Sequence, residues 1–263
     1  MKSKHSDRRK SANLIIKPIA LGFLCWTIQC GAAEPGEEQI GRSAAAQILG
    51  AAPLHESAEV QRYVNLLGNA VARNSASKYQ WRFAVVNSSA VNAFAAPAGY
   101  VLLSSGLLKL LDSEHELAFV IAHEIAHVTR KHHLKVIRRQ QLAETTRREL
   151  QAEETDQDLL RVTQMSVRIY ARGLDRNSEF EADRIGVEMM ARAGYDPTAS
   201  IDVLAKLIAL QGNDPRAELL FSTHPSPGER LDQLMAAGVE HLPRPGSATS
   251  EMDKRFVNFK SKL

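Results

Sequence analysis

The stretch Leu117-Ala-Phe-Val-Ile-Ala-His-Glu-Ile-Ala-His-Val128 reads as a helix that is apolar on nearly every face, yet carries two histidines and a glutamate in its second half. A helix apolar all round is a buried one. Ser113 stands before it as an N-cap, and Glu114 and Glu116 fall in the first turn, where the helix dipole favours acids. Within it, His123-Glu124-Ile125-Ala126-His127 spells H-E-x-x-H. Residues four apart on a helix lie about 40° apart around the axis and ~6 Å along it, so His123 and His127 can grip one tetrahedral ion. Glu124 lies one step round from His123, placed to take a proton from a water at the metal as general base. A chain with nine histidines produces such a match by chance ~0.02 times. Two unliganded histidines and a glutamate would also be costly to bury in an apolar helix. One zinc ion per chain is therefore expected.

A catalytic zinc takes three protein ligands and keeps a fourth position open. The third is expected from the downstream helix Asn177-Ser-Glu-Phe-Glu-Ala-Asp183. Glu179 and Asp183 are four apart and share a face. One can bind the metal while the other accepts the free N–H of a ligating histidine and fixes its tautomer. Glu181 points away from that face and ranks second as a ligand, so metal affinity is expected to depend on the face that carries Glu179 and Asp183 and not on Glu181.

Around these two helices the pattern is α+β and mainly helical. Residues 55–73 carry Val60, Val64, Leu67 and Val71 at helical spacing. Residues 81–86 form a strand candidate, and 91–95 and 100–103 are two more, broken by Pro97 and Gly99. A short helix comes next at 107–111. From Arg130 to Arg172 sparse apolar positions (Leu134, Ile137, Leu142, Leu150, Leu159, Val162, Met165, Ile169) predict exposed helices or a mobile lid. Helix signals resume at 178–192, ending at Gly194, and at 197–210 and 227–237. The tail 243–263 is expected to be loose.

The charge of +3 does not indicate a nucleic-acid partner. Residues 1–33 hold six Lys/Arg against one acid, and without them the charge is −2. Those residues have the parts of a secretory signal: a basic stretch to Lys17, an apolar run Ile19–Ile28 too short to span a bilayer, and Gly31-Ala32-Ala33 for cleavage. An uncleaved anchor and lipid attachment at Cys30 are the alternatives. Both cysteines, Cys25 and Cys30, fall in this leader, so cysteine catalysis is excluded from the mature chain. The expected organisation is a signal peptide at 1–33, a catalytic domain at 34–242 and the tail.

Three segments in order, His-Glu-Ile-Ala-His127, Glu179-Phe-Glu-Ala-Asp-Arg-Ile-Gly186 and Ser222-Thr-His-Pro-Ser-Pro-Gly-Glu-Arg230, resemble the signatures of peptidase family forty-eight. The likeness spans roughly residues 55–240. It implies a zincin-like domain of gluzincin type, with a small edge-exposed sheet packed on the active-site helix. It also implies Glu179 as the third ligand and Asp183 as the acceptor for a ligating histidine. The segment Asn87–Tyr100 is similar to the family's approach to its substrate strand, with Ala98 where relatives often have Gly. Tyr100, Val101, Leu102 and Leu103 are expected to offer the exposed edge on which an extended peptide adds as a strand. The outline is similar to exported members made of a catalytic domain alone. The resemblance implies unfolded or misfolded envelope polypeptides as substrates, in the periplasm, with outer-membrane association as a further option. His224 sits in a loop stiffened by Pro225 and Pro227. It is expected to serve as an oxyanion donor, as a latch on the fourth metal position, or as a surface residue bracing its loop. Two rival functions stand beside this one: a chaperone-like binder that keeps zinc for structure, and a peptidase trimming a few defined substrates. Glu124 argues against the first, because a structural site needs no base.

Overall fold

The computed structural model describes residues 36–151, 174–244 and 249–263. The leader, and the part of the charged segment from 152 to 173, lie outside them. In chain order the elements are α1 (Glu37–Ala51), α2 (Ala58–Ala72), β1 (Arg82–Val86), β2 (Ala93–Ala96), β3 (Tyr100–Ser104), α3 (Ser105–Leu110), α4 (Glu114–Thr129), α5 (His132–Gln151), α6 (Arg176–Arg192), α7 (Ala199–Leu210), α8 (Glu218–Thr223), α9 (Pro227–Ala236) and α10 (Thr249–Lys260).

The helix that carries H-E-x-x-H is α4, and it is the hub. Ser113 caps it by accepting from the Glu116 N–H at 3.2 Å, and every residue from Glu114 to Val128 is buried. Helix α6 starts at an Asp175 cap and crosses α4 at Gly186, where a β-carbon would meet the His123 backbone nitrogen at 3.1 Å. The missing side chain is what lets the two helices approach closely enough to share a site.

The sheet corrects one expectation. Strand order is β1-β3-β2, with β3 parallel to β1 (Phe83 opposite Val101) and antiparallel to β2 (Ala95 opposite Val101). Tyr100, Val101, Leu102 and Leu103 therefore lie in the central strand and offer no edge. The chain steps past one place to lay down β2, then returns through the tight turn Pro97–Gly99 into the gap. Ala98 in that turn has φ +63°, the left-handed region, and its N–H donates to the buried Glu37 carboxylate at 3.3 Å. The outer side of β1 is closed. Gln61 accepts from the Val85 N–H at 2.9 Å and donates to the Val85 carbonyl at 2.8 Å. Asn65 donates to the Phe83 carbonyl at 2.6 Å, and residues 53–55 pair with Val85 and Asn87. β2, the outer strand on the other side, runs against α4.

Alternation sends Phe83, Val85, Ala93, Val101 and Leu103 into the main core with α2, α4 and α7. Ala96 and Tyr100 face α1 instead. The C-terminal segment is a second correction: instead of a loose tail, α10 buries Phe256 and Phe259 in the main core, with Phe259 stacked on Tyr63 at 4.2 Å. In the charged segment α5 is helical, and its Leu134 and Ile137 are buried rather than exposed.

Candidate metal centre

Four side chains from three parts of the chain converge. His123 and His127 come from α4, Glu179 from the first turn of α6, and His224 from the C-cap of α8. Each offers one donor atom, these atoms all lie within 4.8 Å of one another, and all four residues are buried. The two Nε2 atoms are 2.8 Å apart. Glu179 Oε2 lies 3.5 Å from His123 Nε2, and Oε1 lies 3.4 Å from His127 Nε2. His224 Nδ1 is 3.2 Å from both Glu179 oxygens. Ligand bonds of ~2.0–2.1 Å on a tetrahedral ion place donors ~3.3 Å apart, so this spacing suits one small cation.

The outer nitrogens of the two imidazoles are engaged. Asp183 Oδ1 lies 2.8 Å from His123 Nδ1. A carboxylate only accepts, so His123 carries a proton on Nδ1. His127 Nδ1 lies 2.9 Å from His132 Nδ1. Arg230 of α9 makes two hydrogen bonds to Asp183, at 2.8 and 2.7 Å, and reaches Glu179 Oε2 at 3.0 Å. This buried guanidinium balances two buried carboxylates.

The electrostatics reflect burial and these pairs. Burial and the Arg230 cation oppose protonation of His123, but Asp183 and Glu179 outweigh them and raise its pKa to about 9. Burial, then its neighbour His123, push His127 well below its ordinary value. The two Nε2 atoms that face each other at 2.8 Å thus belong to one imidazole raised and one lowered from the ordinary value. Burial would raise Glu179 and Asp183, yet the neighbouring imidazoles and the Arg230 guanidinium for the first, and Arg230 for the second, keep both below the carboxylate range. For Glu124 burial wins and raises the carboxyl. Its Oε2 has no hydrogen-bond partner among the described residues, while Oε1 lies 3.7 Å from His224 Nε2. Beside Glu124 and His224 a small pocket is lined by Phe119, Val120, Val203 and Leu207.

The residues expected from the sequence at the metal, His123, Glu124, His127, Glu179, Asp183 and His224, come together; Tyr100, Val101, Leu102 and Leu103, expected as the substrate edge, lie in the central strand instead. Glu181 lies outside the donor group, as its helix face requires, but it is engaged with His132 Nε2 at 3.0 Å. Arg230 and His132 were missed. Arg230 closes the third signature segment and occupies the first turn of α9, a signal in plain view. His132 comes after a polar Arg130-Lys131 pair and lacks any local pattern.

An H-E-x-x-H helix facing a glutamate on a second long helix downstream, beneath a small mixed sheet, defines a metallopeptidase of the zincin class. The family model for peptidase family M48 matches residues 55–237, and the chain belongs to that family. It is 31% identical over 215 residues to the beta-barrel assembly-enhancing protease of Yersinia pestis, covering 78% of this chain and 44% of that one. The protease of the same name from Escherichia coli (strain K12) is 32% identical over 205 residues, covering 74% and 42%. Mitochondrial metalloendopeptidase OMA1 of Arabidopsis thaliana is 37% identical over 159 residues, covering 60% and 32%. The chain spans less than half the length of these curated relatives.

Proposed function

We propose that this chain is a zinc-dependent endopeptidase of the bacterial cell envelope that degrades misfolded periplasmic or outer-membrane proteins. The observation that carries this reading is the four-donor buried cluster with Glu124 beside it, whose Oε2 has no hydrogen-bond partner among the described residues. A cluster kept only for structure has no use for such a group. The names of the relatives, proteases that enhance β-barrel assembly, support the envelope setting. No helix among the described residues is long and apolar enough to cross a membrane, and export through the leader 1–33 fits the same setting.

In this reading His123, His127 and Glu179 hold one zinc, and Asp183 orients His123. Zinc supplies Lewis acidity for a peptide carbonyl and for a water molecule. Glu124 takes the proton from that water and passes it to the leaving amine nitrogen; its raised pKa suits both duties. The substrate strand adds beside β2, the outer strand next to α4, in place of the central strand expected from sequence. The pocket lined by Phe119, Val120, Val203 and Leu207 then receives a small apolar side chain next to the scissile bond. His224, the fourth donor of the cluster, acts as a latch on the remaining metal position, restraining a protease of broad appetite.

The deciding experiment is degradation of an unfolded protein by the purified chain lacking residues 1–33, with and without a chelator. Cleavage abolished by chelation and restored by zinc is expected. Binding of unfolded protein without cleavage, zinc present, would favour the chaperone-like reading instead.

A further inference from the structure

Each ligating imidazole must hold its Nδ1 proton on something other than the metal. Asp183 serves His123 directly. His127 is served by another imidazole, that of His132, Nδ1 to Nδ1 at 2.9 Å. The second nitrogen of His132, Nε2, lies 3.0 Å from Glu181 Oε2, and Glu181 Oε1 lies 2.6 Å from an Arg130 guanidinium nitrogen.

The directions of these hydrogen bonds are set by what each group can do. The ionised Glu181 carboxylate only accepts, so His132 Nε2 carries the proton. Neutral His132 then has a bare Nδ1, which accepts from the Nδ1–H of His127. That leaves the His127 Nε2 lone pair aimed at the cluster. We propose that Arg130, Glu181 and His132 form a positioning relay that fixes the metal-binding tautomer of His127, so that Glu181 acts on the metal through two imidazoles. The relay rests on the cluster being a zinc site.

The backbone supplies an independent observation. Lys131, between two relay members, has φ +58°, the left-handed region that favours glycine. It stands one residue past the C-cap of α4, and the turn it makes folds His132 back so that its ring meets that of His127 at 5.1 Å between centroids. The Lys131 ammonium reaches the buried Glu37 carboxylate at 3.5 Å. The left-handed turn at Lys131, where glycine would suit the backbone, is the step that brings His132 onto His127.

The test uses the exported chain and two readouts that packing alone would not move. Nitrogen-15 NMR of the metal-free protein should find His127 as the Nδ1–H tautomer. His132→Ala should abolish that preference and weaken zinc binding, measured by chelator competition, by about 10–100-fold. His132→Gln, which keeps a carbonyl acceptor, should recover part of the affinity. Glu181→Ala should weaken binding by a smaller factor, which revises the expectation from its helix face that affinity does not depend on Glu181. Its side chain is 29% exposed, so it carries the test should His132→Ala fail to fold. A folded variant of either kind with His127 tautomer and zinc affinity unchanged overturns the relay. A wild type that binds no zinc would overturn the proposed function, while the tautomer readout would still decide the relay.

Discussion

At the residue scale, Glu124 is a buried carboxyl whose burial is costly and whose chemistry explains that cost. Its carboxyl is raised by burial, so the folded state holds its proton to higher pH than the unfolded chain does. Below the ordinary glutamate range, ~4.3, both states are protonated and the group is neutral to stability. Above the raised value the folded state bears the full penalty of a buried charge. Metal-free Glu124→Gln should therefore melt at a higher temperature than wild type at pH 8, with the gap closing as pH falls below about 4; thermal denaturation across pH decides this. The same variant should bind zinc at one per chain and lose at least ~100-fold in proteolysis, as expected for loss of a general base. His224→Ala is expected to raise proteolysis of an unfolded substrate with zinc still bound. A large fall in turnover with metal retained would assign His224 to the oxyanion instead. The site residues were readable because H-E-x-x-H and the acids at positions 179 and 183 obey helix geometry, which is local. Arg230 and His132 act across 47 and 49 residues of sequence, and no local spacing announces a partner that far away.

At the scale of elements, the contact between α4 and α6 depends on Gly186. A β-carbon there would press on the His123 backbone at 3.1 and 3.3 Å, and backbone inside a buried helix gives little. Gly186→Val should destabilise the fold by about 1–3 kcal/mol through overpacking and weaken zinc binding by spreading the donors that the two helices contribute. Chelator competition and chemical denaturation measure the two effects separately. The sequence predicted α2, α4, α6, α7 and α9 within a few residues, α4 from an apolar run bounded by its cap and the others from helical spacing and end signals. It misplaced the roles of the strands. Each strand was identified from its own composition, but the order β1-β3-β2 comes from a crossover that pairs residues 18 apart in the chain, such as Arg82 with Tyr100. Composition tells a strand from a helix; it does not tell a middle strand from an outer one.

At the scale of the whole molecule, the C-terminal helix belongs to the core. Phe256 and Phe259 are 2% and 3% exposed, and Arg255 pairs with the buried Glu114 at the start of α4. Phe256→Ala should cost about 3–5 kcal/mol, as expected for a buried aromatic, and should show as a lower melting temperature. The segment reads as loose because only two aromatic positions stand in a polar, charged run. α1 escaped notice for a related reason: alanines at 44 and 45 fill its buried face, and small residues leave a weak periodic signal.

The closure of β1 by Gln61, Asn65 and residues 53–55 also bears on how copies of this molecule behave in a crowd. A sheet with two open sides can recruit neighbours on both, and each recruit exposes a fresh template, so growth has no end. Here one flank is sealed by amide side chains that imitate a neighbouring strand. Any strand-to-strand contact made on the β2 side is therefore terminal: two copies meeting there have nothing left to offer a third. For a protein proposed to handle unfolded chains, that sealed flank limits how far its own sheet can extend from copy to copy.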